Sequence, residues 1–69
     1  MTSENIGQRI KRIRIEKGFT QEGLEEGDDG ISYRTIQNIE SGKSSPTLNT
    51  LYRIAKKLNV TVTELLGEK

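Results

Sequence analysis

The chain lacks several residue types that build special sites in proteins. Its 69 residues include no cysteine, no histidine and no tryptophan, and only one proline. Without cysteine there is no disulfide framework, and without cysteine and histidine we expect no zinc site. No apolar run exceeds two residues. The sequence therefore predicts no membrane span and no signal peptide, and we expect a cytoplasmic protein that needs no cofactor, metal or small-molecule ligand.

Basic side chains are missing from one stretch of the chain. Residues 18–32 carry five acidic and no basic side chains, whereas residues 1–17 carry five basic and two acidic ones. Residues 33–69 carry six basic and three acidic side chains, which brings the net charge to +1. A total so near zero favours no class of partner, so only the layout of the charges is informative.

Apolar residues recur at helical spacing, and no strand pattern or repeat appears. The pattern predicts five short helices around one small core, an all-α fold. Thr2 or Ser3 is expected to cap the first helix, and Lys17-Gly18 to end it. A weaker second helix over residues 20–26 has Thr20 as its cap. The apolar residues of these two helices are Ile6, Ile10 and Ile13 in the first and Leu24 in the second.

The last two predicted helices carry the clearest caps. Thr47 is expected to cap the fourth helix and Asn59 to close it. Thr61 and Glu64 have the spacing of a capping box that opens a short fifth helix. The apolar positions of the two helices are Leu48, Leu51, Ile54, Ala55 and Leu58, and then Val62, Leu65 and Leu66.

The third predicted helix, Ser32–Ser41, is the stretch that the chain is organised around. Ser32 is a suitable N-cap, and Ile36 and Ile39 fall on one face. The other face carries Arg, Thr, Gln and Asn. Arg can bind guanine, Asn and Gln can bind adenine, and a Thr methyl can contact the thymine methyl. The alternative is that this face is polar merely because it meets solvent.

Two short helices joined by a glycine-containing turn indicate a helix-turn-helix over residues 20–41. The chain resembles the phage-repressor and Cro type of bacterial helix-turn-helix regulators, the XRE family. The motifs that carry the resemblance are Ile6-Gly7-Gln8-Arg9-Ile10-Lys11, Thr20-Gln21, Ile39-Glu40-Ser41-Gly42-Lys43 and Pro46-Thr47-Leu48. The resemblance implies a single lambda-repressor-like DNA-binding domain over residues 1–69, with helices 2 and 3 as the motif.

The resemblance also implies roles for particular residues. Arg14 and Glu40 match a pair that the family joins as a partly buried salt bridge. Tyr33 could instead pack at the edge of the core, and Gln21 could be a solvated first-turn residue. The base-contacting positions implied are Tyr33, Arg34 and Asn38, with Gln37 and Thr35 in second rank. The phosphate-contacting positions implied are Gln21, Arg14, Thr20, Gly42, Lys43, Ser44 and Ser45.

Three departures from the family pattern fall in the second helix or just after it. Glu25 stands where the family usually has a buried alanine, and Gly23 stands where a Glu would complete a capping box. The turn between Leu24 and Ile31 is also one residue longer than usual. These departures affect the expected geometry of the second helix and leave the third unaffected.

The function expected from these features is sequence-specific binding of double-stranded DNA by a repressor-like transcriptional regulator. A single reading helix, here Ser32–Ser41, contacts only about half of a DNA site. We therefore expect a homodimer on a palindromic operator. Val60, Val62 and Leu66 are the expected dimer surface. The alternative is a protein-interaction or antitoxin-type module, which the acidic stretch favours. An enzyme is not expected, since no nucleophile–base pair is evident.

Overall fold

The computed structural model describes residues 5–27 and 30–67, and no β-strand occurs in that part of the chain. It contains four α-helices and one short 3₁₀ helix. The α-helices are α1 (Ile6–Glu16), α2 (Tyr33–Glu40), α3 (Leu48–Leu58) and α4 (Val62–Leu66), and the 3₁₀ helix is η1 (Glu22–Glu25). The all-helical prediction is confirmed, whereas the prediction of five helices is wrong, because the second predicted helix is only this 3₁₀ turn.

The composition of η1 explains why no α-helix forms there. Leu24 is the only buried residue of the element, so little apolar surface holds it in place. Gly23 costs about 1 kcal/mol relative to alanine in a helix. Glu22 and Glu25 are three residues apart, a spacing at which like charges on a helix repel. A single tight turn therefore replaces the expected helix over residues 20–26.

The start of α1 differs from the prediction. Asn5 is the N-cap, since its side-chain oxygen accepts a hydrogen bond of 2.8 Å from the Gln8 amide. The Gln8 side chain accepts one of 3.2 Å from the Asn5 amide, which completes a capping box. Thr2 and Ser3, the expected caps, lie outside the described residues. Asn5 is the residue directly before Ile6, so it alone has the spacing that this cap requires.

The predicted ends of α3 and the start of α4 are confirmed. The Thr47 hydroxyl accepts from the Thr50 amide at 3.2 Å, and Asn59 closes α3 in the left-handed conformation with φ of 59°. The Thr61 hydroxyl accepts from the Glu64 amide at 3.1 Å, and the Glu64 carboxylate accepts from the Thr61 amide at 3.3 Å. Such local signals are readable in sequence because cap and amide lie within one turn.

One core connects the helices. A glycine lets α1 and α2 approach closely, because a Cβ built on Gly7 would lie 2.1 Å from the carbonyl oxygen of Ile39. The large side chains that are fully buried come from all five helical elements: Ile10, Leu24, Ile36, Ile54, Leu58 and Leu65.

In residues 5–27 and 30–67 no helix is both long and apolar enough for a membrane span. The same residues hold no group of three potential metal ligands.

Candidate nucleic-acid interface

The helix α2 presents one buried and one exposed face. Ile36 and Ile39 are 0% and 2% exposed, so they fix the helix on the core. Arg34 and Thr35 are exposed on the other side. Gln37 is also exposed, and Asn38 is half-buried. This helix therefore offers hydrogen-bonding side chains on a support that cannot rotate about its axis without exposing both isoleucines.

The N-terminus of α2 is not capped as predicted. The Ser32 side chain makes no capping hydrogen bond. Instead the Tyr33 amide donates to the Glu25 carboxylate oxygen Oε2 at 2.6 Å. Beside this bond, the Ile31 amide donates to the Leu24 carbonyl at 2.7 Å. The acidic residue that departs from the family pattern thus joins η1 to the first residue of α2.

A buried ionic network lies at the other end of α2. Arg14 Nε donates to Glu40 Oε2 at 2.7 Å, and Arg14 Nη2 donates to Glu40 Oε1 at 3.1 Å. Arg14 Nη1 donates to the carbonyl of Phe19 at 2.8 Å. Gln21 Nε2 also donates to Glu40 Oε1, at 2.9 Å. The network ties together α1, α2 and the segment that precedes η1.

Arg14 is fully engaged within this network. The residue is 7% exposed, and each of its three guanidinium nitrogens donates a hydrogen bond within the protein. Arg14 therefore holds α1 on α2, and its expected contact with phosphate stays a prediction. Gln21 is half-buried, its side-chain amide nitrogen donates to Glu40, and its backbone carbonyl accepts from the Leu24 amide at 3.3 Å.

Two of the expected base-contacting side chains bond to each other. Gln37 Nε2 donates to the Tyr33 hydroxyl at 3.3 Å, one helical turn away. Tyr33 is half-buried, and its hydroxyl lies within hydrogen-bonding distance of Gln37. The base contact expected of Tyr33 stays a prediction.

The loop after α2 contains four residues expected at phosphate. Gly42, with φ of 85°, ends the helix in a conformation that other residues rarely adopt. Its amide donates to the Ile39 carbonyl at 3.2 Å, and the amides of Lys43 and Ser44 donate to the Asn38 carbonyl at 2.9 and 3.3 Å. These three amides are therefore engaged within the protein, and the expected phosphate contacts of the four loop residues stay a prediction. The side chains of Lys43, Ser44 and Ser45 are exposed to solvent.

Thr20 is exposed, and its hydroxyl accepts from the Gly23 amide at 2.9 Å.

The sequence pattern did not predict the contacts of Glu25 or Gly7. For Glu25 a signal was present, namely an acidic residue at a position that the family keeps apolar. For Gly7 the signal was a glycine in the first turn of a helix, where glycine is unfavourable unless another backbone approaches closely.

Comparison with known proteins identifies the family of the chain. Residues 10–65 match the helix-turn-helix family. The chain belongs to the helix-turn-helix family of transcriptional regulators. It is 39% identical over 61 residues to an uncharacterized HTH-type transcriptional regulator of Sinorhizobium fredii, which covers 88% of this chain and 78% of that protein. No solved structure matches the chain.

Two further members of the helix-turn-helix family have more specific names. The immunity repressor protein of Bacillus phage phi105 is 38% identical over 64 residues, and the match covers 93% of this chain and 44% of that protein. The transcriptional regulator SinR of Bacillus subtilis is 37% identical over 65 residues, covering 93% of this chain and 58% of SinR. These matches do not favour the alternative of a protein-interaction module. The chain spans about half the length of these two relatives.

Proposed function

We propose that this chain is a sequence-specific, repressor-like regulator that binds double-stranded DNA with α2 in the major groove. The observation that carries the proposal is the fixed reading face of α2. Ile36 and Ile39 hold the helix on the core, and the Arg14–Glu40 salt bridge of 2.7 Å holds its C-terminal end. A recognition helix needs such a support, because base discrimination requires donors and acceptors held in one position.

The exposed side chains of α2 have chemistry suited to base edges. Arg34 can donate two parallel hydrogen bonds to guanine, and Asn38 can exchange a pair with adenine. Thr35 can contact a thymine methyl, and Gln37 can either bind adenine or hold the Tyr33 hydroxyl in place, as its 3.3 Å bond indicates. In this proposal η1 and α2 together form the helix-turn-helix over residues 20–41, within one DNA-binding domain.

Phosphate contacts would flank the reading helix. Lys43 supplies a positive charge in the loop beyond Gly42, and Ser44 and Ser45 supply hydroxyl donors there. Thr20 and Gln21 are the candidates on the other flank, next to the start of η1. Such contacts fix the register of a protein on the duplex and carry no sequence information by themselves.

A homodimer on a palindromic operator completes the proposal. Val60 and Val62 are half-buried beside the exposed Tyr52, and together they line a shallow groove between α3 and α4. Leu66 is 48% exposed on α4. A second copy packed on this apolar surface would present two reading helices to half-sites about one helical turn apart.

Selection of bound duplexes from a random pool tests the proposal. Wild-type protein should enrich one sequence, with inverted half-sites, over several rounds. Its affinity for that sequence should fall steeply with salt. For each phosphate contact, log Kd should rise by about 0.9 per unit of log salt concentration. A pool that stays random after selection, or an affinity indifferent to salt, would show that the proposed function is wrong.

A further inference from the structure

The cap of α2 comes from a different element of the fold. Glu25 is the last residue of η1, and its Oε2 accepts from the amide of Tyr33, eight residues further on, at 2.6 Å. Tyr33 is the first residue of α2. The first amides of a helix have no partner within it and lie at the positive end of the helix dipole. A carboxylate there makes a charge-assisted hydrogen bond, which is stronger than a neutral one.

The backbone on both sides of this bond is held closely. The Ile31 amide donates to the Leu24 carbonyl at 2.7 Å, and both side chains are buried. Gly30 passes so near Glu25 that a Cβ at Gly30 would lie 2.1 Å from the Glu25 carbonyl oxygen. These two contacts keep Glu25 next to the start of α2 in the folded state, where its exposed side chain reaches the Tyr33 amide.

We propose that Glu25 is a positioning residue that sets the base selectivity of the reading helix, an inference that rests on the proposed function. Tyr33 and Arg34 are the first two residues of α2. Helix ends fray, and an uncapped first turn would let both side chains take several positions in the groove. Lys43 and its neighbouring serines follow the far end of α2 and do not depend on this cap. Loss of the cap would therefore weaken cognate binding more than random binding.

The charge of Glu25 predicts a different effect, which must be separated from capping. A carboxylate near DNA repels phosphate, so removing it should tighten binding to every duplex alike. Glu25→Gln removes the charge and keeps a side-chain oxygen at the same reach. Glu25→Asp keeps the charge and shortens the reach by one methylene. Glu25→Ala removes both, and Glu22→Gln is the matched control, because Glu22 is an exposed carboxylate on the same element.

The test measures two quantities for each variant of the whole chain. The first is the ratio of affinities for the duplex selected by wild type and for a random duplex at one salt concentration. The second is the exchange rate of the Tyr33 amide in the free protein. We expect Glu25→Ala and Glu25→Asp to lower the ratio and speed the exchange about five- to tenfold, the size of one N-cap bond. Glu25→Gln should give smaller changes than Glu25→Ala in the same direction, because it keeps an acceptor and loses only the charge. Glu22→Gln should leave both quantities near wild type.

The two variants that break the cap give independent readings, so Glu25→Asp decides the matter if Glu25→Ala does not fold. If the ratio is unchanged in the aspartate variant while the Tyr33 amide exchanges faster, the cap does not govern selectivity and this inference is overturned. If Glu22→Gln lowers the affinity ratio as much as Glu25→Ala does, the loss of any carboxylate from η1 has this effect, and the inference is again overturned. If wild type binds no duplex, the proposed function itself fails, a result that the affinity measurement on wild type shows before any variant is compared.

Discussion

The guanidinium of Arg14 and the carboxylate of Glu40 form a two-pronged salt bridge, with Nε 2.7 Å from Oε2 and Nη2 3.1 Å from Oε1. Their side chains are only 9% and 3% exposed. Arg14 lies in the last turn of α1 and Glu40 is the last residue of α2. This buried ionic contact, which Gln21 extends, therefore joins α1 to the C-terminal end of α2 in addition to the packing of Ile36 and Ile39.

Removing one partner of this pair should strongly destabilise the fold. Glu40→Ala leaves the Arg14 charge buried without its carboxylate, a change that costs about 3–5 kcal/mol of unfolding free energy, and we expect the lower part of that range. Glu16→Ala is the control, since the Arg12–Glu16 pair is 44% and 59% exposed. Such an exposed pair contributes about 0–1 kcal/mol. Denaturant melts that gave similar small losses for both variants would show that the Arg14–Glu40 pair is effectively solvated.

The close contact of α1 and α2 predicts a second stability effect. Gly7→Ala would place a Cβ 2.1 Å from the Ile39 carbonyl oxygen, and a backbone atom cannot move aside as a side chain can. The two helices must separate, which we expect to cost about 3 kcal/mol or slightly more. Gly23→Ala is the control, because its Cβ meets no backbone atom and lies 3.1 Å from the Thr20 hydroxyl and 4.0 Å from a Phe19 ring carbon. Thermal or denaturant unfolding in which both variants stayed within about 1 kcal/mol of wild type would contradict the predicted clash.

The reading face and the loop predict different binding defects. Arg34→Ala and Asn38→Ala should each weaken binding to the selected duplex by about 1–3 kcal/mol and relax preference at particular base pairs. Lys43→Ala should weaken all duplexes alike and reduce the salt slope by roughly one. Binding titrations on selected and random duplexes measure both effects. Equal losses on the two duplexes for Arg34→Ala would mean that this residue does not contact bases.

The proposed dimer predicts a stoichiometry. Leu66 is 48% exposed on α4, and Ile15 is 57% exposed on α1. Leu66→Glu should therefore leave the fold intact but reduce binding from two chains to one on a palindromic duplex, because a charge would be buried against the second copy. Ile15→Glu, an equally large change outside the proposed interface, should still give two. Sedimentation at saturating protein distinguishes the cases, and one wild-type chain per duplex would rule out the dimer.

Short-range patterns in the sequence predicted much of this fold, and long-range contacts account for most of the rest. The caps at Thr47 and Thr61 were readable because each hydroxyl meets an amide three residues away. The buried face of α2 was readable from the spacing of Ile36 and Ile39. The Tyr33–Glu25 bond was not readable, because its partners are eight residues apart across a turn and Ser32 offered a locally plausible cap.

The same distinction applies to the proposed interface. Exposure of Arg34, Thr35 and Gln37 follows from helical period alone. The burial of Arg14 at 7% depends on how α1 packs on α2, and a basic side chain in sequence gives no sign of which way it points. The engagement of the Lys43 and Ser44 amides with the Asn38 carbonyl likewise depends on the geometry of the loop after the helix ends.

The segment between α1 and α2 should be the least stable part of the fold. Among the described residues of this segment, Leu24 has the only fully buried side chain. Glu22, Glu25 and Glu26 place like charges close together. The bond from Lys57 to the Glu26 carbonyl is an exposed contact, which adds little. We therefore expect the amides of residues 20–30 to exchange faster than those around Ile36 and Ile54, with local opening while α1, α2 and α3 stay folded. Operator DNA should slow this exchange by ordering Gln21 against phosphate.

Substitution at Gly23 tests the cause of that instability. The Thr20 hydroxyl already accepts from the Gly23 amide at 2.9 Å, so a Glu there would supply the missing half of a capping box by accepting from the Thr20 amide. Removing the glycine is worth about 1 kcal/mol, which corresponds to about fivefold slower exchange of the neighbouring amides. Gly23→Gln supplies the same oxygen without charge, so it should slow exchange more than Gly23→Glu, whose carboxylate joins Glu22 and Glu26. If wild-type amides of residues 20–27 were already as protected as those of α2, packing rather than the glycine would hold this segment, and neither substitution would change its exchange.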